Sequence, residues 1–224
     1  LTPGRRADVI LTSDLKSLPI ETVIARGQIV AENGVCLVDC PHYDWPQHAR
    51  QSVNMGKSLT SDDFQIHAPA GANAVTANVI GVVENQAPTR ALKFELPVTD
   101  GRVQTSGEVC QIALVERHRG TGTVVNALVS GFGYEGPMAM ASTVAHDSHH
   151  MIVVGTDTEH MALAANRLGE VGGGITIFKD GAELAMVELP IGGLMSDIPE
   201  LRISDLGLVD VRSFEFIPLL EPVS

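Results

Sequence analysis

A stretch of apolar residues long enough to cross a bilayer is missing from this sequence. No run approaches the roughly 20 residues a spanning helix needs, and the N-terminus lacks the charged-then-apolar pattern of a secretory signal. Clustered positive charge is missing too. Lys and Arg number 15 against 27 Asp and Glu, a net charge of −12. That balance argues against nucleic acid or an anionic membrane as partner, because both are recognised through grouped cations. Cysteine is scarce: Cys36, Cys40 and Cys110 build no disulfide framework, which makes a reducing cytoplasm the expected compartment. No P-loop and no G-x-S-x-G elbow occurs. The glycines of EVGGGI follow a helix instead of preceding one, so a dinucleotide fingerprint is unsupported.

What is present suits a globular chain. At 224 residues, 44% hydrophobic and 19% charged, the sequence can bury the core of one large domain or two small ones and is not generally disordered. Its first residues, LTPGRRADVIL, run through a Pro-Gly turn straight into a strand, which leads us to expect a chain arriving from an upstream segment. Strands are predicted over 7–12 and 22–30, with turns at Arg26-Gly27 and Asn33-Gly34. Residues 38–63 carry no sustained period and are expected to connect, with one short helix. Further strands are predicted at 78–83, 91–96, 111–116 and 151–154, with a hairpin turn at Asp100-Gly101. The small-residue segment PMAMASTVA, 137–145, is expected to form a short helix. The clearest helix follows it: Thr156 and Glu159 fit a capping box. Met161, Ala164, Ala165, Leu168 and Val171 then make one apolar face, and Gly172-Gly173-Gly174 stops the helix. Ile175–Phe178 and Ala182–Leu189 should pair around Asp180-Gly181.

Three constellations carry titratable chemistry. In AHDSHHMIVVGTD, His146, Asp147, Ser148, His149 and His150 crowd the mouth of a predicted strand. On a strand Asp147 and His149 would share one face; on a helical turn His146 and His149 would share a side. Either geometry brings together two or three ligands at most, short of a complete metal site. The open alternatives are a polar loop satisfied by backbone and water, a substrate-facing loop, or part of a metal site. Cys36-x3-Cys40-x-His42, with His48 beyond, lacks the second paired unit of a zinc site. VERHRGTG brings Glu116, Arg117, His118 and Arg119 to a glycine-bearing loop at a strand end, where ligand contacts commonly lie.

Several of these phrases together resemble one family. GRRADVIL and VIARGQIVAENG resemble the closing β-segment of amidohydrolase-superfamily enzymes. VERHRGTG, SGFGYEGPMAMASTVAHDSHHMIVVGTDTEHMALAANRLGEVGGG and LPIGGLMSD resemble the C-terminal domain of bacterial adenine deaminases, most densely from Ile112 to Asp197. The resemblance implies a mixed α/β (α+β) chain. Residues 1–55 would be the closing β-segment of the amidohydrolase β-sandwich plus a connector, and 56–224 the α/β C-terminal domain. It also implies hydrolysis of adenine to hypoxanthine and ammonia in purine salvage, with a divalent metal pair, manganese or iron, in a distorted (β/α)8 barrel. No two of the eight histidines here have the His-x-His spacing of that barrel's first strand. The metal pair is therefore expected in a barrel outside this chain, no metal is assigned to the chain itself, and the chain alone is expected to be inactive. LMSDIPELRISDLGLVDV also looks abbreviated, since relatives carry a longer helical stretch between its LMSD and PEL parts.

Within that implied enzyme His146, Asp147 and His149 are expected to line the pocket or relay protons, Asp147 being suited to fix the tautomer of a neighbouring imidazole. His118 is the next catalytic candidate, and Arg117 and Ser148 are candidate substrate contacts. The expected partners are adenine, the barrel portion and further copies of the chain in a homo-oligomer. Two other readings are weighed beside it. One is a non-catalytic oligomerisation or ligand-binding domain that uses the PMAMAS helix and apolar strands for subunit contacts. The other is a free-standing metal hydrolase centred on HDSHH.

Overall fold

The computed structural model describes residues 3–39, 43–105, 107–146 and 148–196, together with the backbone of 201–204, 207–210 and 216–217. The chain divides into two compact units. Leu1–Asp44 groups with Ile198–Ser224, and Trp45–Asp197 forms the other. Strands predominate and helices are few, a mixed α+β composition.

In the first unit four strands, β1 (Val9–Leu11), β2 (Thr22–Ala25), β3 (Gln28–Glu32) and β4 (Val35–Cys36), pair in sequence order as an antiparallel meander. The turns fall at Arg26-Gly27 and Asn33-Gly34, as predicted. Both residues of each pair adopt positive φ, the geometry of a two-residue turn whose twist matches the flanking strands. The Asp8 carboxylate accepts the Arg26 N–H at 2.7 Å and holds the first turn closed.

The second unit opens with a short helix, α1 (Gln47–Arg50), inside the expected connector. A 3-10 turn over Ser61–Phe64 follows, closed by a reciprocal Thr60–Asp63 capping box. Nine strands then form one sheet: β5 (Ala74–Gly81), β6 (Arg90–Thr99), β7 (Arg102–Val103), β8 (Val109–Val115), β9 (Val124–Ser130), β10 (Met138–Ser142), β11 (Met151–Gly155), β12 (Gly174–Lys179) and β13 (Ala182–Glu188). Their order is β13-β12-β10-β11-β8-β9-β5-β6-β7, antiparallel throughout except where β5 meets β9. In the first unit the C-terminal strands β14 (Leu201–Ser204), β15 (Gly207–Asp210) and β16 (Phe216–Ile217) pair antiparallel in order.

Helix α2 (Thr158–Val171) lies across β10, β11 and β12. Its Met161, Ala164, Ala165 and Leu168 are fully buried and pack on Ala139, Ala141, Met151 and Val153, every second residue of the strands beneath. The predicted apolar face is thereby placed, and Gly172 ends the helix in the left-handed conformation at φ 84°.

Three elements differ from expectation. PMAMAS is a central strand, not a helix. Its alanines alternate with methionines, so Ala139 and Ala141 fall on the face beneath α2, where a small side chain lets helix and sheet approach. The cap of α2 is Asp157 instead of Thr156. The Thr156 hydroxyl is already engaged, donating to the Gly136 carbonyl at 2.9 Å and accepting the Met138 N–H at 2.9 Å. The Asp157 carboxylate takes the His160 N–H in its place. Strand β9 arises from VVNALVS, a segment not predicted as a strand, and it covers the whole length of β8 from Val109 to Val115.

Candidate functional site

Strand β8 sits in the middle of the nine, hydrogen-bonded to β11 on one side and β9 on the other. Its C-terminal end therefore delivers Glu116–Gly122 from a fixed base. Three backbone N–H groups, from His118, Arg119 and Thr121, converge on the Glu116 carboxylate at 2.6–3.0 Å, and the Thr121 hydroxyl adds a fourth donor at 3.1 Å. Burial pushes this carboxyl up, but the donors outweigh it and hold its pKa down at about 2. Glu116 is thus a fixed anion that shapes the loop.

The turn before β11 meets this loop. The His149 N–H donates to the Ala145 carbonyl at 2.8 Å, a bond of helical-turn span, and His149 itself takes a left-handed φ of 49°, which neither a strand nor a right-handed helix continues. His118 Nε2 lies 3.1 Å from the Ser148 carbonyl, and the His118 and His150 rings are 4.9 Å apart, tilted by 48°. The Nδ1 atoms of His149 and His150 and the hydroxyl of Ser52 are buried without a hydrogen-bond partner. Buried polar atoms are nearly always paired, so three such atoms around one pair of loops mark it as chemically unusual.

The predicted site residues are distributed as follows. His118 and Ser148 are exposed, and His149 is half-buried beside them. His146 is exposed and forms an interaction of its own, while Asp147 lies outside the described residues. Arg117 is 1% exposed. Its guanidinium lies beneath the loops, donating to the carbonyls of His149 at 2.5 Å, Gly192 at 3.2 Å and Ser52 at 3.5 Å. Burial lowers its pKa from the usual value. Three participants escaped the prediction. His150 was one of several histidines in its motif with nothing to single it out, and Ser52 sits in an aperiodic connector. The Gly192-Gly193 turn was flagged only through the LPIGGLMSD resemblance.

Among the described residues no group of three or more His, Cys, Asp or Glu side chains comes together to hold a metal ion. Cys36 is exposed, and its thiol donates to the Val38 carbonyl at 3.3 Å. Its suggested companions Cys40 and His42 lie outside the described residues. The remaining buried histidine, His160, joins Asp157 Oδ1 through Nδ1 at 2.9 Å and accepts the Gly181 N–H at Nε2 at 2.8 Å. It ties the start of α2 to the β12–β13 turn, a structural task. No helix of the described residues is long and apolar enough to cross a membrane.

The loops described here fall within a recognised region. Residues 86–198 match the adenine deaminase C-terminal domain. The adenine deaminase of Roseobacter denitrificans is 69% identical across 99% of this chain and 43% of its own length. That of a Ruegeria species is 66% identical over the same shares, and that of Moorella thermoacetica 36% identical over 98% and 44%. The chain thus spans well under half the length of these relatives. The first alignment runs over 259 positions, 35 more than the 224 residues of the chain, so at least that many of its positions have no counterpart here. With more than half its residues inside that match, the chain belongs to the adenine deaminase C-terminal domain family.

Proposed function

We propose that this chain is the C-terminal portion of an adenine deaminase that hydrolyses adenine to hypoxanthine and ammonia in purine salvage, in the cytoplasm. The observation that carries this is the name borne by relatives 69% and 66% identical over 99% of the chain. Residues 1–55 act as the closing β-segment of an amidohydrolase β-sandwich with its connector, and 56–224 as the C-terminal domain. The metal pair, manganese or iron, is assigned to a barrel outside this chain, because no two of the chain's histidines have the His-x-His spacing of that barrel's first strand. The chain alone is then inactive, and the barrel portion and further copies of the chain are its partners.

The loops at the ends of β8 and before β11 contribute a wall of the adenine pocket. Exposed imidazole and hydroxyl groups at His118, His146 and Ser148 can donate to or accept from the ring nitrogens and exocyclic amine of a purine. His149 holds a buried Nδ1 in reserve for the same purpose. Asp147 orients a neighbouring imidazole for proton relay. The test joins this chain to the upstream portion of the Roseobacter denitrificans relative and measures hypoxanthine formed from adenine. The joined protein should turn over and the isolated chain should not. His118→Ala and His149→Ala should each lower kcat/KM by about tenfold or more, in the range expected for lost proton transfer or orientation. Metal-dependent turnover by the isolated chain, or full activity in both variants, would overturn the assignment.

A further inference from the structure

We infer that Arg117 is a positioning residue, which sets the backbone conformation at Ser148–His150 from below instead of meeting a ligand. This deepens the assignment above, because it names the element that presents the histidine wall. A guanidinium 1% exposed offers no surface to a substrate. Its donors instead reach three carbonyls far apart in the chain, those of Ser52, His149 and Gly192. The backbone of Arg117 adds a fourth tie, since its carbonyl accepts the Asn54 N–H at 2.8 Å. A planar guanidinium spreads its N–H donors in a fixed fork that reaches three separated acceptors, whereas a lysine ammonium concentrates its three donors on one atom at the end of a shorter stem.

The turn needs such a hold. A left-handed φ at a non-glycine residue is strained and persists only when the surroundings over-determine it. His149 is fixed on both sides: its N–H by the Ala145 carbonyl, its own carbonyl by Arg117 Nε. The third segment is shaped to fit. Gly193 has φ +70°, and a Cβ placed there would stand 2.8 Å from Arg117 Nη1 and 3.1 Å from Cζ, so only glycine lets the turn lie against the guanidinium. The histidine side chains inherit this geometry. Ser148 presents its carbonyl to His118 Nε2, and His150 lies against the His118 ring. Moving the His149 carbonyl moves all three rings.

The test reads histidine ring signals by NMR in the 224-residue chain, assigned with single His→Gln variants. It compares Arg117→Lys, Arg117→Met and Gly193→Ala with Leu168→Ala, which destabilises the same unit from the core under α2. The expected result is that the His118, His149 and His150 signals shift in the three loop variants and hold in Leu168→Ala, while the His67 signal holds throughout. Should Arg117→Met fail to fold, Gly193→Ala keeps the charge and displaces the guanidinium, so it gives the same reading. Loop signals that stay in place in Arg117→Lys and Gly193→Ala, or that move equally in Leu168→Ala, overturn the proposal. Turnover of the joined protein is a separate measurement. If Arg117→Lys shifts the loop signals but leaves kcat unchanged, positioning stands and the pocket assignment falls. A loss of kcat of about 10–100-fold supports both.

Discussion

Thr143 offers the sharpest test of how the Gly192-Gly193 turn is held to the sheet. The side chain is 0% exposed. Its hydroxyl donates to the Gly193 carbonyl at 2.7 Å and accepts the Gly174 N–H at 2.8 Å, with the Gly174 carbonyl a further 3.3 Å neighbour. Valine fills the same space without the hydroxyl, so Thr143→Val leaves one donor and one acceptor stranded in a dry interior. Each stranded group costs about 1–3 kcal/mol, which puts the substitution at about 2–4 kcal/mol when partial relaxation is allowed. Serine keeps the hydroxyl and loses one methyl group, worth about 1 kcal/mol. Urea unfolding followed by the fluorescence of Trp45, the single tryptophan and a residue of the same unit, should therefore rank the midpoints wild type, then Thr143→Ser, then Thr143→Val. If the valine variant unfolds no earlier than the serine variant, the hydroxyl is not what ties the turn to the sheet.

Three further perturbations have definite outcomes. His160→Ala strips the exposed Gly181 N–H of its acceptor and should cost about 0.5–1.5 kcal/mol, the net worth of one hydrogen bond, with faster amide exchange at Gly181; unchanged exchange there would refute the contact. Glu116→Gln should cost roughly 1–2 kcal/mol at neutral pH, as hydrogen bonds to an ionised acceptor are lost. Because the folded carboxyl is held at about 2 against an ordinary 4.5, its contribution is complete above pH 4.5 and fades as pH falls toward 2. The stability gap between wild type and variant should close over that window, and a gap independent of pH would rule out the carboxylate as its source. Leu168→Ala, at a 0% exposed position on the sheet-facing side of α2, should lower stability by about 2–5 kcal/mol, read as an earlier urea midpoint.

Elements governed by adjacent residues were legible in the sequence. Asn33-Gly34, Asp100-Gly101 and Asp180-Gly181 all become turns with paired positive φ, because the requirement is met by the two residues themselves. Helix α2 was legible from its period and its glycine stop. The cap moved by one residue because the Thr156 hydroxyl had partners at Gly136 and Met138 that no local pattern displays. PMAMAS was misread because small residues fit a helix and a strand alike; the choice was settled by α2 covering Ala139 and Ala141. The candidate site shows the same limit. His118 and the HDSHH segment stood out as chemistry, but the meeting of His118 with Ser148 and His150 depends on β8 pairing with β11. The role of Arg117 depends on Ser52 and Gly192, contacts 65 and 75 residues away.

Strand β13 closes one end of the nine-stranded sheet, and an open edge is ordinarily a template for adding a foreign strand. Here that template is spoiled. The β12–β13 register slips at Ile177/Phe178, and Glu183 and Glu188 stand on the edge strand itself. Arg167 reaches over from α2 to bond Glu183 at 2.7 Å and to approach Glu188 at 4.0 Å. A kinked edge carrying tethered acids refuses continuation of the sheet, and the opposite terminus, β7, is only two residues long. The β13 end of the sheet is thereby guarded against ribbon growth, whereas at the other end β7 covers only Val98 and Thr99 of β6 and leaves most of that strand's outer edge unpaired among the described residues.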